Sequence, residues 1–363
     1  MRIWQIVALL IAGVITGLFQ PYVLGGFFSQ LTLYLFLPAL LFEAAWNLDG
    51  RVMLREWKPI ALLAVPGVVL TALIVGVAAH LAGLPWTVAF LLGAILSATD
   101  PIAVVAIFKQ LDVPKALATI VQSESLLNDA MAVVLYRVLL AAVLIGVTVA
   151  GSERLIETAV LGAFAGIALG AVIGWLFSLL LRERFGVVLP ILASVAGAYG
   201  SYYIADHFNF SGIFATLACG IALRQFGSCG LGDAGVVRVE QLWDRVAAAA
   251  NAVLFFLIGA ASVLTHLFQS PLVIAATLAG IALARGVLAY GLLSLARPWL
   301  SWGWMHVVRV AGVRGALSLA LAIALPTYLP DRAAIVDAVF AVVLVTILVS
   351  ALRIERTVAR LEG

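Results

Sequence analysis

Long apolar runs, separated by short charged or Pro/Gly-rich breaks, follow one another along the whole chain. A run of this kind predicts a membrane-spanning helix, because about 20 mostly apolar helical residues cross the hydrocarbon core of a bilayer. The pattern predicts an all-α polytopic membrane protein. It divides the chain into about twelve spans, near residues 4–20, 29–46, 59–81, 86–108, 116–148, 156–181, 186–206, 211–226, 246–268, 271–295, 307–326 and 333–352.

Composition agrees with this pattern and excludes several classes of protein. Of the 363 residues, 64% are hydrophobic and 11% are charged, whereas soluble domains are about 45–50% apolar and about 25% charged. This excludes a cytosolic enzyme and a nucleic-acid-binding protein. The sequence contains no phosphate-binding loop, no H-E-x-x-H and no G-x-S-x-G, so we expect neither an ATPase nor another enzyme, and no cofactor.

Basic residues predict the orientation of the spans. With the N-terminus in the cytoplasm, most Lys and Arg residues fall in cytoplasmic loops, and the opposite loops contain only Arg154 and Arg332. Because cytoplasmic loops are enriched in Lys and Arg, we expect both termini in the cytoplasm. We expect residues 1–363 to form a single membrane domain with no cytoplasmic regulatory domain.

The fourth predicted span has Thr99, Asp100 and Pro101 at its middle. Proline removes a backbone donor and disfavours helix at the residue before it, so Asp100 is expected at a helix break. A carboxylate beside freed carbonyl groups can bind a cation, as in the broken helices of transporters. On this span alone, a simple proline kink capped by Asp100 explains the pattern equally well.

The fifth predicted span carries Glu124, Ser125, Asn128 and Asp129. Ser125 and Asp129 are four residues apart and therefore lie on one helix face, towards a neighbour with Thr99 and Asp100. Their hard oxygen atoms suit Na⁺ or hydronium rather than zinc or copper. A polar network that only pins two helices is the alternative. The cost of placing each acid in the bilayer, about 2.5–3.5 kcal/mol, favours an ion path.

The eleventh predicted span contains Arg314 between Gly312 and Gly315, so its backbone is free to bend or unwind. A buried arginine needs an acidic partner, and we assign Glu124 to it, which leaves Asp100 and Asp129 for the cation. The remaining intramembrane arginines, Arg137 and Arg285, are interpreted as structural, with Glu43 as one possible partner.

Spans one to five can be paired with spans eight to twelve. The two interrupted spans, the fourth and the eleventh, then occupy matching positions and run in opposite directions. This predicts inverted repeats: repeat one at about 1–150, a linker helix at about 156–181 and repeat two at about 186–352. The linker has glycines at every fourth position, 162, 166, 170 and 174. Such a stripe allows close helix packing, either at a dimer seam or inside one subunit.

The stretch SATDPIAVVAIFKQLDVPKALATIVQSESLLNDAMAVVLYR resembles the sodium/proton antiporters of the NhaP and eukaryotic NHE branch of the cation:proton antiporters. The resemblance continues through LPALLFEAAWNLD, SGIFATLACGIALR, ANAVLFFLIGAAS and AGVRGALSLALAIALP. It implies an NhaA/NapA-like antiporter fold with two broken crossing helices. It also implies that a core domain moves against a dimerisation domain in an elevator-like cycle.

The resemblance also implies roles for individual residues. Asp129 corresponds to the ion-binding aspartate, and a family ion pair corresponds to Glu124 with Arg314. Asn128, directly before Asp129, is the form associated with electroneutral exchange. The implied site comprises the cation and proton ligands Asp129, Asp100, Ser125, Glu124 and Thr99, a Na⁺ ion at Asp129, Asp100, Ser125 and Glu124, and Asn128 and Arg314 as supporting residues.

The function implied is exchange of Na⁺ (or Li⁺) for H⁺, 1:1, by a homodimer in a bacterial plasma (inner) membrane. Its partners are then monovalent cations, protons and the lipid bilayer. A K⁺/H⁺ antiporter, a passive cation channel and the membrane subunit of a larger transporter are the alternatives. Two features depart from the family: Gln122 replaces the usual first acid of its E-x-E-S stretch, and the chain begins where the second of thirteen spans is expected.

Overall fold

The computed structural model describes residues 3–19, 27–100, 104, 108, 113–146, 153–180, 188–262, 270–296 and 301–359. These residues form helices and turns, and the described part of the chain has no strand. The helices are α1 (Ile3–Phe19), α2 (Phe27–Trp46), α3 (Gly50–Arg55), α4 (Trp57–Ala64), α5 (Pro66–Leu81), α6 (Trp86–Ile95), α7 (Lys115–Ile145), α8 (Glu153–Leu180), α9 (Val188–His207), α10 (Gly212–Ser262), α11 (Pro271–Gly286), α12 (Trp302–Ala311), α13 (Ala316–Ile323) and α14 (Arg332–Ala359). A π-helical turn (Val287–Leu292) and a 3₁₀ turn (Leu293–Ala296) continue α11.

Among the described residues, seven helical segments are long and apolar enough to cross a membrane: Trp57–Leu81, Lys115–Ile145, Glu153–Leu179, Val188–His207, Pro271–Leu295, Trp302–Ile323 and Arg332–Val349. Shorter apolar helices occupy Ala8–Phe19, Tyr34–Trp46, Trp86–Ile95 and Gly212–Gly227. The chain is therefore a helical multi-pass membrane protein, and the described residues do not confirm the predicted count of twelve spans.

The predicted separation of spans 211–226 and 246–268 into two helices is wrong. Residues 212–226 and 246–262 lie in α10, one continuous helix of 51 residues (Gly212–Ser262), and residues 263–268 lie outside the described residues. The segment between them contains glycine and charged residues, which end an apolar run but do not force a helix to stop. Only proline blocks the helical hydrogen bonds outright, and there is none between residue 212 and Pro271.

Two helices are broken where the sequence predicts interruptions. Helix α6 ends at Ile95 and residues 96–100 are not helical. Helix α12 ends at Ala311, residues 312–315 are not helical, and α13 begins at Ala316. The first break begins earlier than the motif predicts, and Pro101 itself lies outside the described residues.

The chain divides into two compact units, residues 1–30, 52–150 and 252–363 in the first, and 31–51 and 151–251 in the second. In the first unit, α5 packs on α6 and α11, α6 packs on α7, and both α12 and α13 pack on α14. Both broken helices belong to this unit. In the second unit, the apolar core centres on Phe42, Trp46 and Trp243.

The glycine stripe of α8 packs inside the second unit. Side chains at Gly166, Gly170 and Gly174 would overlap the backbone of Ser211, Ala215 and Cys219. The absence of a Cβ atom lets the two backbones approach closely. Of the two interpretations left open by the sequence, packing inside one subunit therefore explains the stripe.

Helix α2 continues through Pro38 with the help of two tyrosines of the second unit. Proline has no N–H, so the carbonyl group of Tyr34, four residues earlier, loses its helical donor. The hydroxyl of Tyr203 donates to that carbonyl at 3.0 Å, and the hydroxyl of Tyr199 donates to the next carbonyl, that of Leu35, at 2.9 Å. Tyr199 and Tyr203 are one turn apart on α9, so one helix face supplies both donors.

Candidate cation site

The first broken helix meets α7 at Thr99, Ser125 and Asp129. The Thr99 N–H donates to Asp129 Oδ1 at 3.2 Å, the Ser125 hydroxyl donates to the Thr99 carbonyl, and Thr99 Oγ1 donates to Ser125 Oγ at 3.3 Å. Thr99 and Ser125 are buried and Asp129 is partly buried. The break exposes the Thr99 backbone to side chains because residues 96–100 make no complete helical ladder.

Asp100 connects the two broken helices. Its N–H donates to the carbonyl oxygen of Val313 at 2.8 Å, so the stretches 96–100 and 312–315 meet directly. Its side chain lies against Gly315, where any side chain would overlap the Asp100 carboxylate. Asp100 directly follows Thr99, whose N–H binds Asp129, so both carboxylates lie at the same break. Two carboxylates in such proximity favour binding of a positive charge.

Arg314 is 1% exposed and holds the end of the first broken helix. Its Nη1 donates to the carbonyl oxygens of Ser97 and Ala98, at 2.8 and 3.0 Å. These carbonyls follow the end of α6, where a cation compensates both the freed acceptors and the helix dipole. Its Nε and Nη2 atoms are buried without a hydrogen-bond partner among the described residues.

The predicted ion pair of Glu124 with Arg314 is wrong. Glu124 Oε1 instead lies 2.7 Å from Arg285 Nη1, and both side chains are buried. Arg285 Nη2 also donates to the Val308 carbonyl at 2.5 Å. Glu124 therefore faces α11 and α12 rather than the stretch 312–315. Arg285 therefore lies beside the candidate site, and its partner is Glu124 rather than Glu43, the possibility that the sequence suggests.

Two further groups complete this side of the site. Asn128 Nδ2 donates to Glu124 Oε1 at 3.3 Å, and its buried Oδ1 has no hydrogen-bond partner in the described part of the chain. A side chain at Gly312 would overlap the Arg285 guanidinium. The two glycines that flank Arg314 thus make room for Arg285 and for Asp100.

The structure brings all seven predicted site residues into the first unit. Thr99 contacts Ser125 and Asp129, and Asp100 binds Val313, the neighbour of Arg314 on the facing break. Glu124 accepts hydrogen bonds from Asn128 and Arg285. Within the ranges that the structure describes, no three His, Cys, Asp or Glu side chains converge as a metal cluster. The carboxyl groups and the Thr99 and Ser125 oxygens are the groups available to a monovalent cation.

Sequence reasoning missed two participants. Arg285 is interpreted from the sequence as structural because it is not predicted to sit at a helix break, although its position in an apolar run is a signal that it needs a buried partner. Thr346, on α14, accepts a hydrogen bond from the Arg314 N–H at 3.2 Å. A lone threonine in an apolar helix gives no such signal.

A family model described as "Sodium/hydrogen exchanger, transmembrane" matches residues 1–360. The chain belongs to the sodium/hydrogen exchanger family. The resemblance stated from its motifs is thereby confirmed, and it extends over nearly the whole chain.

Similar members of the exchanger family are bacterial antiporters by name. The Na(+)/H(+) antiporter ApNhaP of Aphanothece halophytica is 35% identical over 341 residues, which cover 92% of this chain and 65% of that protein. The Na(+)/H(+) antiporter NhaH of Halobacillus aidingensis is 31% identical over 379 residues, which cover 98% of this chain and 91% of that protein. The chain thus spans slightly less than two thirds of the length of ApNhaP.

Among solved structures, the sodium proton antiporter MjNhaP1 from Methanocaldococcus jannaschii at pH 8 has the same fold. Its TM-score is 0.77 at 20% sequence identity, over 95% of this chain and 92% of that chain. This exchanger-family chain therefore has an antiporter fold, as the sequence predicts.

Proposed function

We propose that the chain is a secondary antiporter that exchanges Na⁺ (or Li⁺) for H⁺ across the membrane. The observation that carries the proposal is the contact of the Asp129 carboxylate with the Thr99 N–H, beside Ser125, where two broken helices meet. Family membership and the names of the relatives support the same reaction.

The charges around the site support a 1:1 stoichiometry. Glu124 and Arg285 neutralise each other as a buried pair. Asp100 and Asp129 then face Arg314, which leaves one negative charge for one cation or one proton. Because an uncompensated buried charge is costly, the site crosses only when Asp129 holds either Na⁺ or H⁺. Competition for this one carboxylate couples the two fluxes and makes the exchange electroneutral.

We propose that the site becomes accessible from each side in turn by an elevator-like movement of a core domain against a dimerisation domain. The protein then acts as a homodimer in the plasma (inner) membrane. There the inward proton gradient expels Na⁺, and the exchange contributes to pH homeostasis.

The test uses everted membrane vesicles that contain a fluorescent probe of the pH gradient. Addition of Na⁺ or Li⁺ to vesicles with the native chain should dissipate the gradient, and Asp129→Asn should abolish this response. The matched control is Asp331→Asn, because Asp331 is exposed and has a left-handed backbone (φ 55°) that asparagine tolerates. A well-folded Asp129→Asn variant with a native response would refute the proposal.

The same vesicles separate the alternatives. A K⁺/H⁺ antiporter responds to K⁺ and not to Na⁺ or Li⁺. A cation channel, or a membrane subunit that conducts passively, gives a current that follows the membrane potential. An electroneutral exchanger dissipates the pH gradient equally well when valinomycin and K⁺ clamp the potential at zero.

A further inference from the structure

Thr346 contacts the second broken helix from outside the site. It lies on α14, where its hydroxyl donates to the Val343 carbonyl of its own helix at 3.1 Å. The same Oγ1 atom accepts the Arg314 N–H at 3.2 Å. That N–H belongs to the non-helical stretch 312–315, so no helical carbonyl is available to it.

The peptide group that Thr346 contacts is the one that holds Asp100. The Arg314 N–H and the Val313 carbonyl belong to one peptide bond, and in a planar trans peptide they point in opposite directions. The carbonyl accepts the Asp100 N–H at 2.8 Å, and the N–H donates to Thr346. The peptide group is therefore held from both sides, and a rotation of its plane breaks both hydrogen bonds.

From this peptide group the contacts lead to Asp129 in two steps. The Asp100 backbone is fixed by Val313, and the preceding residue, Thr99, donates its N–H to Asp129 Oδ1. We infer that Thr346 is a positioning residue of the cation site, which sets the orientation of the Val313–Arg314 peptide group and thereby the place of Asp100 and Thr99 around the ion. This inference rests on the proposed exchange of Na⁺ for H⁺.

Two other threonines of this unit, Thr277 and Thr71, serve for comparison. Thr277 on α11 and Thr71 on α5 are buried, and their hydroxyls donate only to the carbonyl four residues earlier in the same helix, those of Val273 and Gly67. Thr277 therefore provides a control of the same residue type, whose hydroxyl also donates within its own helix and, among the described contacts, forms no hydrogen bond with a broken helix.

The experiment compares Thr346→Val, Thr346→Ser and Thr277→Val in the full chain. In the vesicle assay, Thr346→Val should raise the half-saturating Na⁺ concentration roughly three- to tenfold, the net worth of one hydrogen bond. Thr346→Ser keeps the hydroxyl and should restore the native value, and Thr277→Val should not change it. If Thr346→Val fails to accumulate in the membrane, Thr346→Ala replaces it. Equal half-saturating concentrations in Thr346→Val and Thr277→Val would overturn the inference.

A second measurement does not depend on transport. In the purified full chain, hydrogen–deuterium exchange of the peptide that contains Arg314 should be faster in Thr346→Val than in the native protein, Thr346→Ser and Thr277→Val. An unchanged rate of hydrogen–deuterium exchange would overturn the role of Thr346. This holds even if the native chain does not transport Na⁺ in exchange for H⁺. If the native chain does not respond to Na⁺ but Thr346→Val shows faster hydrogen–deuterium exchange, the proposed function is refuted and the role of Thr346 is not.

Discussion

Glu124 and Arg285 are 2% and 5% exposed, and each would be a costly buried charge without the other. Asn128 and the Val308 carbonyl add hydrogen bonds to the pair. These additional bonds distinguish it from a surface ion pair, which contributes little to stability. At the scale of single residues, the pair ties Glu124 on α7, the helix that also carries Ser125 and Asp129, to Arg285 on α11.

Removal of one partner should therefore destabilise the protein more than removal of both. We expect Arg285→Met to lower the free energy of unfolding by about 3–5 kcal/mol, because Glu124 is left buried and unpaired. The double variant Glu124→Gln/Arg285→Met should recover part of this loss. The measurement is thermal unfolding in detergent, with Arg137→Met, at an exposed position of α7, as the control. A double variant no more stable than the single variant contradicts this expectation.

At the scale of elements, the continuity of α2 at Pro38 depends on hydrogen bonds from the two tyrosines of α9, and this dependence can be measured. In the native chain, Tyr203→Phe leaves the Tyr34 carbonyl without a donor, because Pro38 has no N–H. We expect a loss of about 1 kcal/mol in stability. In a Pro38→Ala background the helix regains its own donor, so the same substitution should cost less. Thermal unfolding is measured for the native chain, Tyr203→Phe, Pro38→Ala and the double variant, which gives the coupling energy between the two positions. If Tyr203→Phe lowers stability equally in both backgrounds, the hydroxyl does not have this role.

The elements that could be predicted from the sequence are those with local causes. Gly312 and Gly315 predict the break in the second interrupted helix, and the spacing of Ser125 and Asp129 predicts their common face; the structure confirms both. The partner of Glu124 could not be predicted, because Arg285 and Arg314 are both intramembrane arginines far away in the sequence. Only the packing of α7 on its neighbours selects Arg285. The continuity of α10 was missed because an apolar pattern locates the membrane but does not locate helix ends.

At the scale of the whole molecule, the glycine stripe of α8 distinguishes packing within a copy from contact between copies. A side chain at Gly170 would overlap the Ala215 backbone of the same unit. We therefore expect Gly170→Leu to lower the unfolding temperature and the yield of folded protein. Leu161→Ala, at a position of α8 that is 61% exposed, should have little effect on either quantity.

Light scattering with size-exclusion chromatography completes this comparison. If Gly170→Leu produced stable, monodisperse protein at half the native mass, the stripe would lie between copies and the assignment to the second unit would be wrong.

The contact between the two broken helices has a consequence for how the site tolerates change. Ser97, Ala98 and Val313 contribute carbonyl oxygens, and Thr99 and Asp100 contribute amides. Substitution of a side chain does not remove such atoms, so ordinary mutagenesis at Ala98 or Val313 leaves this part of the framework in place. Replacement of an amide by an ester through chemical synthesis deletes one of these donors at a time. Variation at Ala98 and Val313, which are 1% and 2% exposed, is therefore limited by side-chain volume alone, whereas Gly312 and Gly315 have no room for any side chain.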